Sequence, residues 1–170
     1  MLGYSMEAYA LRYTGPSGVL WSDITQSDLA AYASPAFANN VVYFGDSSGV
    51  AYAIDALNGN QLWTFTDPNV DAINASPAVA NGIVFFGVED NNVYAFDAAN
   101  GNELWYFPTG NMVDSSPSIA NGVVYIGSED DNVYAFGLAN PPENSAAQAP
   151  ALSSLHPDPT LKLSQSARDF

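Results

Sequence analysis

Apolar residues in this chain come in short runs, mostly β-branched or aromatic, and polar turn residues cut each run off. Residues 76–107 show the pattern. Ile83-Val84-Phe85-Phe86 and Val93-Tyr94-Ala95-Phe96 are strand-like runs bounded by Asn, Gly, Asp and Glu. Asn81-Gly82 between them and Ala80 signals a tight hairpin, because a type I′ turn needs positive φ at both central positions. Asn100-Gly101 marks a second turn before Glu103-Leu104-Trp105-Tyr106-Phe107. The pattern predicts four antiparallel strands over about 73–80 (A), 83–87 (B), 92–97 (C) and 102–107 (D). No stretch carries a 3.6-residue period, so helix is not expected.

The unit repeats. Trp21, Trp63 and Trp105 are spaced 42 and 42 residues apart, and the Ser-Pro pairs at Ser34, Ser76 and Ser116 are spaced 42 and 40. Gly45, Gly87 and Gly127 keep the same steps, as do Tyr52, Tyr94 and Tyr134. Laying 34–63 over 76–105 gives 17 identities in 30 positions. Strands B and C do not alternate apolar with polar residues, so both faces of the sheet are expected to be buried. A four-stranded sheet covered on both sides by equivalent sheets, recurring about every 40–45 residues, is a propeller blade. The small residues of Asn74-Ala75-Ser76-Pro77-Ala78 suit an innermost strand near a crowded axis, where proline is tolerated at a sheet edge.

Ala53-Ile54-Asp55-Ala56-Leu57-Asn58-Gly59-Asn60-Gln61-Leu62-Trp63 and Ala95-Phe96-Asp97-Ala98-Ala99-Asn100-Gly101-Asn102-Glu103-Leu104-Trp105 share the pattern A-x-D-x-x-x-G-x-x-x-W. It resembles the tryptophan-docking motif of the PQQ-like (pyrroloquinoline-quinone enzyme-type) β-propeller repeat, and the preceding S-P-A-x-A-N-G-x-V-x-F-G stretch resembles that family's first two strands. The resemblance spans about residues 7–137. It implies that Asp55 and Asp97 close the C–D turns and that Trp21, Trp63 and Trp105 pack on a neighbouring blade, with Gly59 and Gly101 part of the same docking pattern. It also implies a periplasmic or secreted location. The repeat occurs in quinone-dependent dehydrogenases and in propellers that bind no quinone, among them a lipoprotein of the outer-membrane β-barrel assembly machinery.

The ends depart from the pattern. Arg12 stands where the Asp belongs before Trp21, and Gly137 replaces it after Tyr134-Ala135-Phe136, with no later Trp. The array reads as units of about 7–24, 33–66, 73–107 and 113–137, an all-β propeller of about three blades plus one strand, followed by an Ala-, Ser- and Pro-rich tail over 138–170 that is expected to be disordered or draped on the surface. Propellers close with 4–8 blades. An open array leaves strand edges that can template pairing, so the chain is expected either to be part of a longer protein or to close by association. In the second case the end at 113–137 would accept the strand at 19–24 of another copy.

Charge narrows the partners. Eighteen acidic residues face three basic ones (Arg12, Lys162, Arg168), a formal charge of −15. That excess repels nucleic acid and anionic lipid surfaces. No apolar run approaches the roughly 20 residues of a membrane span, and the first residues lack the basic and apolar regions of a signal peptide. Cysteine is absent, which excludes disulfides, thiolate metal sites and cysteine nucleophiles. The 48% apolar content is that of a folding chain.

Candidate chemistry is sparse. The B–C turns are polar or acidic, and Glu129, Asp130 and Asp131 are a weak candidate cluster for Ca²⁺, which carboxylates so grouped can hold; turn-favouring Asp and Asn in solvated hairpin tips are the better explanation, and the spaced calcium-loop motif is missing. A glycosidase pair needs a buried acid, and these turns read as exposed tips. His156, the single histidine, lies in the tail. Asn74-Ala75-Ser76 is a sequon on an expected inner strand. No catalytic, cofactor-binding or metal-binding residue is assigned, and neither PQQ nor Ca²⁺ is expected. The expected function is a non-catalytic scaffold binding itself or another protein. The alternatives are part of a PQQ-dependent dehydrogenase and, on Trp and Tyr content, a carbohydrate-binding propeller.

Overall fold

A computed structural model of the chain describes residues 7–11, 19–24 and 32–137. Every regular element among these residues is a strand. In order they are β1 (Glu7–Leu11), β2 (Val19–Ile24), β3 (Ala36–Ala38), β4 (Val41–Gly45), β5 (Val50–Asp55), β6 (Gln61–Thr66), β7 (Ala78–Ala80), β8 (Ile83–Val88), β9 (Asn92–Asp97), β10 (Glu103–Pro108), β11 (Ser118–Ala120), β12 (Val123–Gly127) and β13 (Val133–Gly137). They form antiparallel sheets β1-β2, β3-β4-β5-β6, β7-β8-β9-β10 and β11-β12-β13. Each strand pairs only with sequence neighbours, and the sheets make an open array of propeller blades. The expected hairpin turns carry left-handed residues: Asn81 and Gly82 at φ 52° and 76°, Asn121 and Gly122 at 51° and 73°.

The apolar runs fail to alternate because each sheet is covered twice. On one face of β8 and β9, Val84, Phe86, Tyr94 and Phe96 pack with Tyr43, Ala53, Trp63 and Ile73 of the preceding blade. On the other, Ile83, Phe85, Val93 and Ala95 pack with Val124, Ile126, Tyr134 and Phe136 of the next. Phe85 and Phe86 are both fully buried although adjacent, which a strand achieves only between two layers. Each such side chain contributes about 1.5–3 kcal/mol.

Strand A is shorter than expected, running from Ala78 and not from residue 73. The segment before it crosses from one blade to the next and spends its backbone groups on the loops it passes. Ile73 N donates to Asp46 O at 2.9 Å, and Ala72 O accepts from Glu89 N at 3.0 Å. The Ile73 side chain, fully buried, covers Gly45 so tightly that a β-carbon there would collide with it. One blade on, Val113 covers Gly87 in the same way. Gly45 and Gly87 are thus required by close approach, not by backbone conformation, whereas the neighbour of Gly127 is the smaller Ser115, at 3.3 Å.

Candidate functional site

The contacts that join blades start at the C–D turns. Asp97 Oδ1 accepts from Ala99 N at 2.8 Å, and its carbonyl accepts from Gly101 N at 2.9 Å. Asp55 does the same with Leu57 N and also accepts from Asn58 Nδ2. Each turn needs a left-handed residue, supplied by Gly59 at φ 77° and Gly101 at φ 74°. An indole from the preceding blade lies over each glycine: Trp21 on Gly59 and Trp63 on Gly101. Trp21 Nε1 donates to Ala56 O at 2.8 Å and Trp63 Nε1 to Ala98 O at 3.1 Å. Asp and Gly of one motif therefore build a seat, while its Trp reaches forward to the seat of the next blade. Trp105 packs at a tilt against Phe85 and Phe136, with ring centroids 6.0 and 5.2 Å away; its seat by register, 138–141, lies outside the described residues, as do the tail and His156.

A second line of contacts runs near the innermost strands. Ser34 N donates to Ser76 Oγ at 2.8 Å, and Ser76 N donates to Ser116 Oγ at 3.1 Å. In the sequence the Ser-Pro pairs mark the period and the innermost strand; the hydroxyl that recurs before each proline is the one signal for this interblade contact. Asn74 of the sequon is half-buried, with Nδ2 donating to Glu89 Oε1 at 2.6 Å.

The acidic B–C turns are only in part the exposed tips expected: Glu129 and Asp131 are exposed, but one Asp of each turn is not. Asp46 is fully buried and accepts from Ser48 N, Ser48 Oγ, Val50 N and Tyr52 Oη. Asp90 accepts from Asn92 and from Tyr94 Oη at 2.6 Å. Asp130 accepts from Asn132 N, from Tyr134 Oη and, across the blade boundary, from Gly110 N at 2.7 Å. One carboxylate thus turns inward in each hairpin because the strand-C tyrosine and the turn amides converge on it. This pairing also escaped the sequence reading, though Tyr52, Tyr94 and Tyr134 recur in register. Burial alone would raise the Asp130 pKa, but the bonds from Tyr134, Gly110 and Asn132 outweigh it and hold it at about 2. Burial and the Asp130 bond push Tyr134 up to about 12. A carboxyl held so low is the opposite of a glycosidase acid.

The candidate calcium ligands do not converge. Glu129 and Asp131 are exposed, while Asp130 is occupied by its donors. Among the described residues, no group of three or more His, Asp or Glu is placed to hold a metal ion. Residues 32–137 also contain no Lys, Arg or His. A polycarboxylate such as PQQ finds no cationic partner on these blades, so the residues present do not fit that cofactor.

The sheet β11-β12-β13 differs from the two four-stranded sheets before it. Among the described residues no strand pairs with β13 on the side away from β12. The positions 40 residues after Asp97, Gly101 and Trp105 are Gly137, Pro141 and Ser145. Proline fixes φ near −65°, which is incompatible with the positive φ of the Gly101 turn.

The family profile described as outer membrane protein assembly factor BamB matches residues 17–143. No curated protein sequence matches the chain. Among solved structures, BamB from Moraxella catarrhalis is similar with a TM-score of 0.57 and 20% identity, over 71% of this chain and 36% of that one. Quinohemoprotein alcohol dehydrogenase ADHIIG from Pseudomonas putida HK5 gives 0.60 and 27%, over 66% and 20%. The computationally designed Ika4 protein gives 0.60 and 22%, over 71% and 73%. The chain thus spans about a third of the BamB structure and a fifth of the dehydrogenase. With the profile covering well over half of its residues and the blades arranged as described, the chain belongs to the BamB-like family of PQQ-like β-propeller repeats.

Proposed function

We propose that this chain is a non-catalytic protein-binding scaffold whose blade array is completed by another polypeptide, in the first place a second copy of itself. The three-stranded sheet β11-β12-β13 carries this reading. Its two predecessors have four strands, and the sequence after β13 has lost the Gly and Trp that would build the fourth. Among the described residues the outer edge of β13 is unpaired, and such an edge beside an aromatic blade face is a site for strand addition. Strand β2 (Val19–Ile24), which bears the docking Trp21, is the segment that fits. Membership of a family described as outer membrane protein assembly factor BamB supports a protein partner and a periplasmic setting; the acidic surface disfavours nucleic acid.

Sedimentation across a range of concentrations tests self-association: a mass above 18.0 kDa that rises with concentration is expected. A single 18.0 kDa particle throughout would leave only a different partner. The likeness to a quinohemoprotein dehydrogenase makes an enzyme the competing reading. Addition of PQQ and Ca²⁺ separates the two: the scaffold gains no quinone absorbance and no dye-linked alcohol oxidation, whereas a dehydrogenase gains both.

A further inference from the structure

The boundaries between successive blades are not equivalent. Between the sheets β7-β8-β9-β10 and β11-β12-β13, Gly110 N reaches across to Asp130 Oδ2 and the loop closes on it. Counting from Trp63 and Trp105, the residue at the place of Gly110 one blade earlier is Pro68. Proline has no N–H, so Asp90 receives no such donor, and a cavity of about 320 Å³ remains between the first and second four-stranded sheets. The residues lining it include Phe65, Tyr94 and Tyr106 together with Asp90 and Glu103. Phe65 and Tyr94 stand 5.3 Å apart, and Tyr94 and Tyr106 5.9 Å. Asp67, just before Pro68, is buried, and its Oδ1 accepts no hydrogen bond. Burial raises the Tyr94 pKa first, and then its bond to Asp90 and the charges of Asp90, Asp67 and Glu103 raise it further.

Aromatic residues set beside carboxylates, with no basic side chain anywhere in residues 32–137, attract a cation twice over. The ring quadrupoles favour positive charge at their faces, and the carboxylates supply hydrogen-bond acceptors and opposite charge. An anion would be repelled, and a neutral apolar ligand would strip water from Asp90 and Glu103 without compensation.

We propose that this interblade cavity is a binding site for a guanidinium or alkylammonium group. The cation is either the arginine or lysine side chain of a partner protein or a free small amine. The site is internal to one chain and stands whether or not the array self-associates.

Titration calorimetry on the full chain with agmatine tests it, against butylurea as the uncharged counterpart and a capped tripeptide with arginine at its centre. Agmatine is expected to bind and butylurea not. Glu103→Gln and Tyr106→Ala, both at exposed positions, should each weaken agmatine by about fivefold. Pro68→Gly, which restores the missing N–H donor, should close the cavity and abolish binding while the urea midpoint holds or rises. Tighter binding of the tripeptide than of agmatine assigns the site to a partner's side chain; equal or weaker binding assigns it to a free amine. No agmatine binding, equal binding of butylurea, or affinity unchanged in all three variants would overturn the site.

Discussion

The indole of Trp63 lies so close over Gly101 that a β-carbon on the glycine would stand 2.7 Å from the ring. Gly101 also has φ 74°, so Gly101→Ala meets two costs, a left-handed alanine at about 1 kcal/mol and a clash that lifts the ring from its seat. Gly82 separates them, since it has φ 76° with nothing within 4 Å of its would-be β-carbon. Urea denaturation should show Gly82→Ala destabilised by about 1 kcal/mol and Gly101→Ala by about 3 kcal/mol or more. Equal losses would mean that the indole contact adds nothing.

Trp63 Nε1 and Tyr43 Oη both donate to Ala98 O, at 3.1 and 2.9 Å, and Ala98 is buried. Trp63→Phe and Tyr43→Phe each leave that carbonyl with one donor; the double variant leaves it with none. An orphaned buried carbonyl costs about 1–3 kcal/mol. The double variant is therefore expected to lose about 1 kcal/mol more than the sum of the single losses in a double-mutant cycle, whereas strict additivity would show that the donors do not share the acceptor.

The same contacts explain what could be read beforehand. Strands B and C and their Asn-Gly turns were legible because Asn81-Gly82 and the buried runs around them are local signals. The period located Asp97, Gly101 and Trp105, but resemblance alone supplied the interblade direction of the contact, since nothing local says that Trp63 sits on Gly101 and not on Gly59. Strand A was overextended because Ile73 and Ala72 are held by loops of two different blades, partners that no window around residue 73 contains. Asp46 was misread as exposed for a related reason: an Asp in a polar turn looks solvated until Tyr52, six residues later, folds back on it.

Asp130 and Tyr134 give stability a dependence on pH at both extremes. Asp130 titrates at about 2 in the folded chain, below the ordinary value near ~4, so its contribution is fully present above about pH 4 and fades as pH falls through about 2. Tyr134 titrates at about 12 when folded, above its ordinary ~10, so its contribution is present below about pH 10 and is lost as pH rises through about 12. Asp130→Asn is expected to flatten the acid limb of the pH–stability curve. Tyr134→Phe should flatten the alkaline limb, followed by urea midpoints and tyrosinate absorbance. An unchanged acid limb in Asp130→Asn would assign the acid sensitivity to other carboxylates.

The first hairpin offers a stabilising change. Its turn is Asn39-Asn40, at φ 51° and 62°, where the later blades use Asn81-Gly82 and Asn121-Gly122 in the same conformation. Asparagine tolerates the left-handed region better than most residues but still bears strain there that glycine does not. Against that, glycine loses more backbone freedom on folding, which takes back part of the gain. Because nothing lies near the Gly82 β-position and Asn40 is exposed, the side chain removed from position 40 is expected to cost no packing. Asn40→Gly should therefore raise stability by about 0.5 kcal/mol, seen as a higher urea midpoint at unchanged slope, and Gly82→Asn should lower it by a similar amount. A midpoint that falls in Asn40→Gly would mean that Asn40 holds the turn through contacts of its own side chain.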